Sequence, residues 1–320
     1  MSFAAYHSTA ARSTRARIRL VSRRTSRTLT DRALLAIFRR FPVQDTIFKD
    51  PGPRAEAEYR SEIEAPFYRW FKSGPEMFAG KDVLDLGSGF GGRTTRFAEL
   101  GARATGVEID DELVARARAF GLSRNLDVTF LKGTGEAIPC EDNSFDLVTM
   151  FDVMEHVVSP PAVLKECLRV LRPGGAAAIV FPPYYDLTGG SHLHGYATTF
   201  PGLNLLFSTK ALRSAATELL ARQNIDWRRF LREAPSDKLW NQNGLTVWSF
   251  RSLVRRAGFL VRRFDCLGHM ELRLSKHEGV ALWWRAPFFL PAMVAARIPV
   301  VQEAFCSRVA AILVKPHSNS

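Results

Sequence analysis

Residues 83–92 read Val-Leu-Asp-Leu-Gly-Ser-Gly-Phe-Gly-Gly, which is typical of a buried strand that ends in a glycine-rich turn. Gly87 and Gly89 allow a positive φ and let the backbone approach a ligand closely. We predict a helix over residues 93–100, whose free N–H groups point at the turn. Such a turn can bind a nucleotide-like cofactor.

The glycine spacing alone does not identify this cofactor. Gly87, Gly89 and Gly92 satisfy the G-x-G-x-x-G fingerprint of dinucleotide-binding proteins, and Glu108 follows about 20 residues later. This spacing is compatible with an NAD-dependent oxidoreductase. It is also compatible with a tight strand-to-helix turn that binds no ligand.

Three more motifs follow the glycine turn in order. The first, residues 106–110, ends a second strand and places Glu108 where its carboxylate can accept two ribose hydroxyls. The other two are a strand with its flanking turns, and a helix that leads into an apolar strand. The second motif comprises residues 133–139, 142–148 and 151–157, and the third comprises residues 168–175 and 176–181.

With these motifs the chain resembles the class I S-adenosylmethionine-dependent methyltransferases over roughly residues 81–181, in particular the branch that includes the ubiquinone and menaquinone biosynthesis methyltransferases. The resemblance implies an α/β fold with a doubly wound, mostly parallel, seven-stranded Rossmann-like sheet. N-terminal helices and an insertion after the fifth strand complete it. The implied cofactor is S-adenosyl-L-methionine. Asp85 and the sequence Leu-Arg-Pro-Gly-Gly at 171–175 favour it over NAD.

The resemblance also implies which residues bind the cofactor. The glycine turn and the segment after the fourth strand would hold the methionine part, with its ammonium near Asp85. A carboxylate would hold the ribose, and two further segments would contact the adenine. The residues for the methionine part are Asp85, Gly87, Ser88, Gly89, Phe151 and Asp152. Glu108 would bind the ribose, and the residues near the adenine are Ile109, Thr134, Gly135 and Glu136. Because the family often has Asp where Thr134 stands, Gly135 N–H or Glu136 could make the contact with the exocyclic amine.

Methyl transfer to a hydroxyl requires an aligned acceptor and a group that removes its proton. Histidine is the natural base near neutral pH. We predict His192 and His194, in the loop after the fifth strand, ahead of His156, which follows the fourth strand. The two loop histidines could instead only shape the loop through hydrogen bonds. Asp186 with these histidines imitates a metal site, but so small a set in one loop does not predict a metal.

The positive charge is concentrated at the N-terminus. The 320 residues carry a formal charge of +12, and residues 1–40 hold ten arginines and one acid, which gives +9. We find no apolar stretch of a secretory signal there. Three interpretations of this segment are compatible with the sequence. It could be a solvated arm over residues 1–30, an organelle transit peptide, or a patch that contacts acidic lipid or nucleic acid. Nucleic acid is disfavoured because the core lacks interleaved basic and aromatic residues.

Cysteine usage and hydropathy predict a cytoplasmic enzyme. The four cysteines form no C-x-x-C pair, which fits a reducing compartment and argues against zinc. The most apolar run, near 286–296, is shorter than the about 20 residues of a membrane span. The cysteines are Cys140, Cys167, Cys266 and Cys306.

Composition shifts divide the chain into a basic arm (1–30), N-terminal helices (31–80) and a third part (81–320). The resemblance implies that the N-terminal helices cover the substrate mouth and that residues 81–320 form the methyltransferase domain. This domain includes an insertion at 186–243 and an aromatic-rich apolar segment at 279–305. Because loops after parallel strands lie at the ligand-binding edge of such sheets, we expect the insertion to shape the acceptor site.

Apolar residues at three- and four-residue steps predict two helices before the first strand. The first spans 31–41 with Asp31 as its cap, and the second spans 54–71. Their apolar positions are Leu34, Leu35, Phe38 and Phe41, then Tyr59, Ile63, Phe67 and Trp70. Beyond the insertion we predict a helix and an antiparallel pair of strands, at 247–257, 259–267 and 310–314.

The sequence therefore predicts an S-adenosylmethionine-dependent methyltransferase that acts on an oxygen of a small molecule, such as a lipid, glycolipid or secondary metabolite. The main alternative is an RNA or protein methyltransferase docked by the basic arm. An NAD-dependent oxidoreductase and a protein that holds the cofactor without catalysis are further alternatives. Residues 1–40 could contact an acidic membrane surface, and the sequence assigns no oligomeric state.

Overall fold

A computed structural model describes residues 29–40, 54–186, 202–208, 210–212, 214–215, 218, 243–268 and 301–317. A seven-stranded sheet forms its centre. The strands are β1 (Asp82–Leu86), β2 (Arg103–Glu108), β3 (Val128–Lys132), β4 (Phe145–Phe151), β5 (Leu171–Phe181), β6 (Leu260–Leu267) and β7 (Arg308–Val314). The helices are α1 (Leu29–Arg40), α2 (Arg54–Glu64), α3 (Gly92–Glu99), α4 (Asp111–Ser123), α5 (Pro160–Val170), α6 (Leu203–Leu206), α7 (Val247–Ala257) and α8 (Gln302–Phe305).

The strand order is β3-β2-β1-β4-β5-β7-β6. Strands β1 to β5 are parallel, and β7 pairs antiparallel with both β5 and β6. The order reverses between β1 and β4, and in open α/β sheets the carboxyl ends of the strands at such a point form the ligand site. The predicted sheet and the predicted C-terminal antiparallel pair are confirmed.

Successive strand residues point to opposite sides of the sheet, and in β1 the residues of both sides are buried. Both faces of the sheet are therefore covered. In β1, Val83 packs with Phe67 and Phe97 on one face. Leu84 and Leu86 belong to the cluster on the other face, with residues of α5 and α7. Asp85 therefore lies on the same face as Val83, beneath helix α3.

The predicted N-terminal helices differ from the structure at their ends. Helix α1 begins at Leu29, so Asp31 lies inside it and the predicted cap is wrong. Helix α2 ends at Glu64, and a 3-10 helix over Phe67–Phe71 follows. Pro66 separates the two because proline has no N–H to donate and restricts the residue before it. Ile63 is exposed, although its place in the apolar pattern predicts that it is buried.

The helix predicted over 247–257 has those bounds. Thr246 and Ser249 form a reciprocal capping box at its start, and Gly258 ends it with φ of 89°. Helix α1 packs through Leu34, Leu35 and Phe38 against Leu203, Leu212 and Ala215.

Phe41, most of the insertion and most of the 279–305 segment lie outside the described residues. Within the described part of the chain, we find no helix of the length and apolarity that a bilayer crossing requires.

Candidate functional site

The glycine turn lies at the carboxyl end of β1, beside the ends of β2 and β4. Gly87 N and Ser88 N both donate to Val107 O, at 2.8 and 3.1 Å. Gly87 and Gly89 have φ of 75° and 54°, where a side chain would be strained. A Cβ added at Gly87 would lie 2.4 Å from Val153 Cγ2. The turn is therefore bare backbone packed against the segment after β4.

Glu108 ends β2 with its carboxylate held beside this turn. Its Oε1 accepts hydrogen bonds from Ile109 N at 2.8 Å and Asp110 N at 3.2 Å. Its Oε2 accepts one from Gly89 N at 3.2 Å. These three donors fix the carboxylate at the position from which the sequence predicts contact with a ribose. Ile109 is exposed next to it, and its contact with adenine stays a prediction.

The predicted adenine-edge segment lies between the end of β3 and helix α5. Gly135 leaves little space for a side chain, whereas Thr134 pairs in an isolated bridge. Glu136 Oε1 accepts hydrogen bonds from Val158 N at 2.8 Å and Ser159 N at 3.1 Å. The Glu136 carboxylate thus anchors the segment to the start of α5. Contact of these residues with adenine stays a prediction.

Asp85 lies beneath the glycine turn and is fully buried. Its Oδ2 accepts a hydrogen bond from the Thr94 hydroxyl at 2.7 Å, and its Oδ1 accepts one from the Thr149 hydroxyl at 2.9 Å. Asp85 therefore ties β1 to α3 and to β4. Burial raises its pKa, and the nearby Arg93 guanidinium partly opposes that shift.

We expect Asp85→Asn to stabilise the free protein. Because burial raises the pKa of Asp85 in the folded protein, ionising this carboxyl reduces the free energy of unfolding. The loss is absent below pH 3.8, its ordinary pKa, and grows as pH rises through the folded-state pKa. The variant removes this cost, so its melting temperature should exceed that of wild type at pH 7.5, with the difference closing towards pH 4. Thermal melts across this range measure it. A constant difference would show that ionisation of Asp85 carries no cost.

A cluster of aromatic side chains lies where β4 ends, with Phe67 buried and Phe151 and Trp70 partly exposed. The Phe151 ring contacts Phe67 and Trp70, with centroid distances of 6.1 and 5.8 Å. The Arg93 guanidinium carbon lies 4.3 Å from the centroid of the same ring. These four residues, which we call the aromatic wall, join the 3-10 helix after α2 to the sheet.

Asp152 follows Phe151 with φ of 55°. Its N–H donates to Val180 O at 2.9 Å, and its Oδ2 accepts from Arg308 Nη2 at 3.4 Å. Arg308 is the first residue of β7, and because β7 runs antiparallel its start lies at the same edge as the glycine turn. A cation and a carboxylate thus meet beside the aromatic wall.

The three predicted base candidates differ in what the structure describes. His156 lies after β4, with its Nε2 3.6 Å from Glu155 Oε1 and its side chain 19% exposed. His192 and His194 lie outside the described residues. The structure therefore places only His156, and the role of all three stays a prediction.

The residues on either side of the segment 187–242 lie at this same edge. Tyr184 N, before it, donates to Leu245 O, after it, at 3.0 Å. Asn243 Nδ2 donates to Met154 O at 2.8 Å and to Val157 O at 2.9 Å. The two ends of residues 187–242 are therefore held together beside the segment that carries His156.

Helix α2 brings two glutamates to the site that the sequence analysis did not assign. Glu58 Oε2 accepts from Gly92 N at 3.1 Å, and Glu62 Oε1 binds Arg93 Nε at 2.7 Å. Glutamates four residues apart on a helix are typical of a solvated face. The sequence feature that could have indicated this contact is Gly92, because a Cβ there would lie 2.1 Å from Ala55 O of α2 and would prevent the close approach of the two helices.

Comparisons with known proteins identify the family of this chain. The family described as "Methyltransferase domain" matches residues 84–179. The ubiquinone biosynthesis O-methyltransferase of Pseudomonas entomophila is 38% identical over 200 residues, 62% of this chain and 72% of that protein. The protein of the same name from Pseudomonas fluorescens strain Pf0-1 is 29% identical over 204 residues, 63% of this chain and 74% of that protein.

A solved S-adenosylmethionine-dependent methyltransferase from Mesorhizobium loti has the same fold. It superposes with a TM-score of 0.50 at 16% identity, over 80% of this chain and 99% of that chain. Fold, site and relatives together define an S-adenosylmethionine-dependent methyltransferase. The chain belongs to the class I family of these enzymes.

The cofactor of this family is S-adenosyl-L-methionine, and the residues present fit it. Gly87 and Gly89 hold the turn in a positive-φ conformation, in which the backbone can approach a ligand closely. The Glu108 carboxylate lies beside the turn, held by three N–H donors. We assign the turn to the methionine part and Glu108 to the ribose as a proposal.

Proposed function

We propose that this enzyme transfers a methyl group to an oxygen of a small molecule that is aromatic or partly apolar, such as a lipid, glycolipid or secondary metabolite. The main support is the aromatic wall, which lies at the end of β4 beside the glycine turn. Flat aromatic faces favour stacked or edge-to-face contact with a ring. The names of the relatives, ubiquinone biosynthesis O-methyltransferases, support the same class of acceptor.

The bound cofactor supplies a methyl group on a positively charged sulfur. The chain must align the acceptor oxygen, exclude water and take the proton of the hydroxyl. We propose His192 or His194 as the base, with His156 third. His156 has a carboxylate neighbour in Glu155, which could orient its ring.

We also propose that the 186–243 insertion and the 279–305 segment select the acceptor. The hydrogen bonds of Tyr184 and Asn243 support this, because they hold the ends of the insertion beside the β4 edge. Short linkers in place of both segments should leave cofactor binding intact and abolish acceptor selectivity. Unchanged selectivity in a folded protein would contradict this role.

Trp70→Ala should weaken acceptor binding and leave cofactor binding unchanged. The indole is partly exposed at the aromatic wall, and a lost aromatic contact costs about 0.5–1.5 kcal/mol beyond its buried area. We expect KM for the acceptor to rise roughly tenfold, with the affinity for S-adenosylhomocysteine unchanged. Steady-state kinetics and calorimetry separate the two. Trp248→Ala, on the exposed face of α7, serves as the matched control.

The experiment that tests the function is a methyl-transfer assay with isotope-labelled S-adenosylmethionine. The acceptors are an alkyl-tailed catechol, a short catechol, an apolar amine, total RNA and a mixed protein sample. We expect a methyl ether on the tailed catechol, found by mass spectrometry, with wild type and with a variant that lacks residues 1–30. Label in RNA or protein that is lost with the arm would favour the polymer alternative instead.

Residues 1–40 carry a charge of +9, which attracts anionic surfaces. We propose that they contact an acidic membrane surface, where an apolar acceptor would be concentrated. Cosedimentation with vesicles that contain phosphatidylserine should require these residues and weaken with salt. Equal sedimentation of the variant that lacks residues 1–30 would show that this part of the segment makes no such contact.

A further inference from the structure

Glu58 of helix α2 turns its carboxylate towards the glycine turn. Its Oε2 accepts a hydrogen bond from Gly92 N at 3.1 Å. Its Oε1 lies 3.3 Å from the point where a Cβ on Gly89 would stand. One oxygen is therefore held by the start of α3, and the other lies against the backbone that we assign to the methionine part of the cofactor.

The charges around Glu58 leave a surplus of negative charge. Asp85 of β1 and Glu62 of α2 share the Arg93 guanidinium of α3 with it. Helix α4 presents Arg124 to α2 on another side, where it pairs with Glu56. Three carboxylates thus share one cation, which is an arrangement suited to a cationic ligand group.

The other two carboxylates already have protein partners on both oxygens. Asp85 accepts the hydroxyls of Thr94 and Thr149. Glu62 binds Arg93 through Oε1 and accepts from Phe67 N at 2.8 Å through Oε2. Glu58 is also held by N–H groups, those of Gly92 and Phe90, but it is only partly buried, whereas Asp85 and Glu62 are buried. With its Oε1 against Gly89, it is the carboxylate best placed to bind a cation at the surface of the turn.

We propose that the Glu58 carboxylate binds the α-ammonium group of S-adenosylmethionine, and that helix α2 thereby forms one wall of the cofactor site. Asp85, which the family resemblance places near this ammonium, then acts from beneath the turn by orienting its backbone. This assignment concerns the cofactor alone, so it stands or falls independently of the acceptor proposed above.

A pH dependence follows. Desolvation raises the pKa of Glu58 to about 7, against the opposing effects of Arg93 and of the Gly92 and Phe90 N–H groups. Since an ammonium favours the ionised carboxylate, it lowers this pKa on binding, and a proton must leave when the ligand binds below pH 7. Affinity should therefore fall as pH decreases through 7.

The test is calorimetric titration at pH 7.5 and pH 6.0 with S-adenosylhomocysteine, whose ammonium keeps its proton over this range. We expect wild type to bind it up to about tenfold more weakly at pH 6.0. Glu58→Gln should bind it about tenfold more weakly at pH 7.5, with little further change at pH 6.0. Glu56→Gln, on the same helix and paired with Arg60 and Arg124, should behave as wild type.

A second ligand separates this role from a structural one. 5′-Methylthioadenosine keeps the adenine, ribose and sulfur and lacks the amino-acid part, so Glu58→Gln should leave its affinity unchanged. Equal loss for both ligands would mean that Glu58 only supports the turn, and the proposal would be overturned. An unchanged pH dependence in Glu58→Gln would overturn it as well. Thermal melts of each variant confirm that it is folded at both pH values.

Discussion

Glu108→Gln is expected to weaken S-adenosylmethionine binding roughly 30- to 100-fold while the fold is retained. The change turns one carboxylate oxygen into a donor, which can no longer accept a ribose hydroxyl or the Gly89 N–H. A hydrogen bond to a charged group contributes about 1.5–3 kcal/mol, and both are affected at once. Isothermal titration with S-adenosylhomocysteine gives the affinity, and circular dichroism gives the fold.

Glu112→Gln is the matched control for this change. Glu112 lies on the first turn of α4, exposed and paired with Arg116 at 2.6 Å. It should bind the cofactor as wild type does. An affinity of Glu108→Gln within twofold of wild type would mean that another group holds the ribose.

Gly87→Ala is expected to cause the largest combined loss of stability and cofactor binding. Its φ of 75° costs a side chain roughly 1–2 kcal/mol. The added methyl group would also lie 2.4 Å from Val153 Cγ2, and overpacking of this kind costs about 1–3 kcal/mol. We expect a lower melting temperature and an affinity for S-adenosylhomocysteine at least about tenfold weaker, because the turn must shift.

Gly80→Ala isolates the conformational part of this effect. Gly80 has nearly the same φ, 72°, but a Cβ there meets nothing within 4 Å. Its loss of stability should be the smaller one, and its cofactor affinity should equal that of wild type. Equal effects of the two substitutions would contradict the close packing of the turn on Val153.

The parts of the fold that follow from local pattern could be predicted from the sequence. Strands β1, β4 and β5 are apolar runs next to turn residues, and helix α7 lies between a capping threonine and Gly258. The third strand is not evident from the sequence, because Val128–Lys132 is short and only partly buried. Its amphipathic sequence carries little of the signal that fully buried strands show.

Element ends were less predictable because they depend on single residues. The apolar steps of residues 54–71 continue across Pro66, and only the proline stops α2. At Asp31 the residue type favours a cap, yet the helix starts at Leu29. Helix α1 packs on Leu203, Leu212 and Ala215, which is a nonlocal contact that a local pattern cannot include.

The candidate site divides in the same way. Glu108 and the glycine turn belong to a continuous motif, so their neighbourhood could be predicted. Glu58 comes from another element, and its approach to Gly92 exists only once α2 crosses the start of α3. Arg308 likewise reaches Asp152 only because β7 runs antiparallel in the sheet. Apart from Gly92, which lets α2 approach closely, these contacts leave no local pattern in the sequence.

The most direct test of the central claim is calorimetric titration of the full chain with S-adenosylmethionine, S-adenosylhomocysteine and NADH. The glycine turn with Glu108 beside it predicts one site that binds the first two ligands and does not bind NADH. Binding of NADH alone, or of none of the three by a folded protein, would contradict the account.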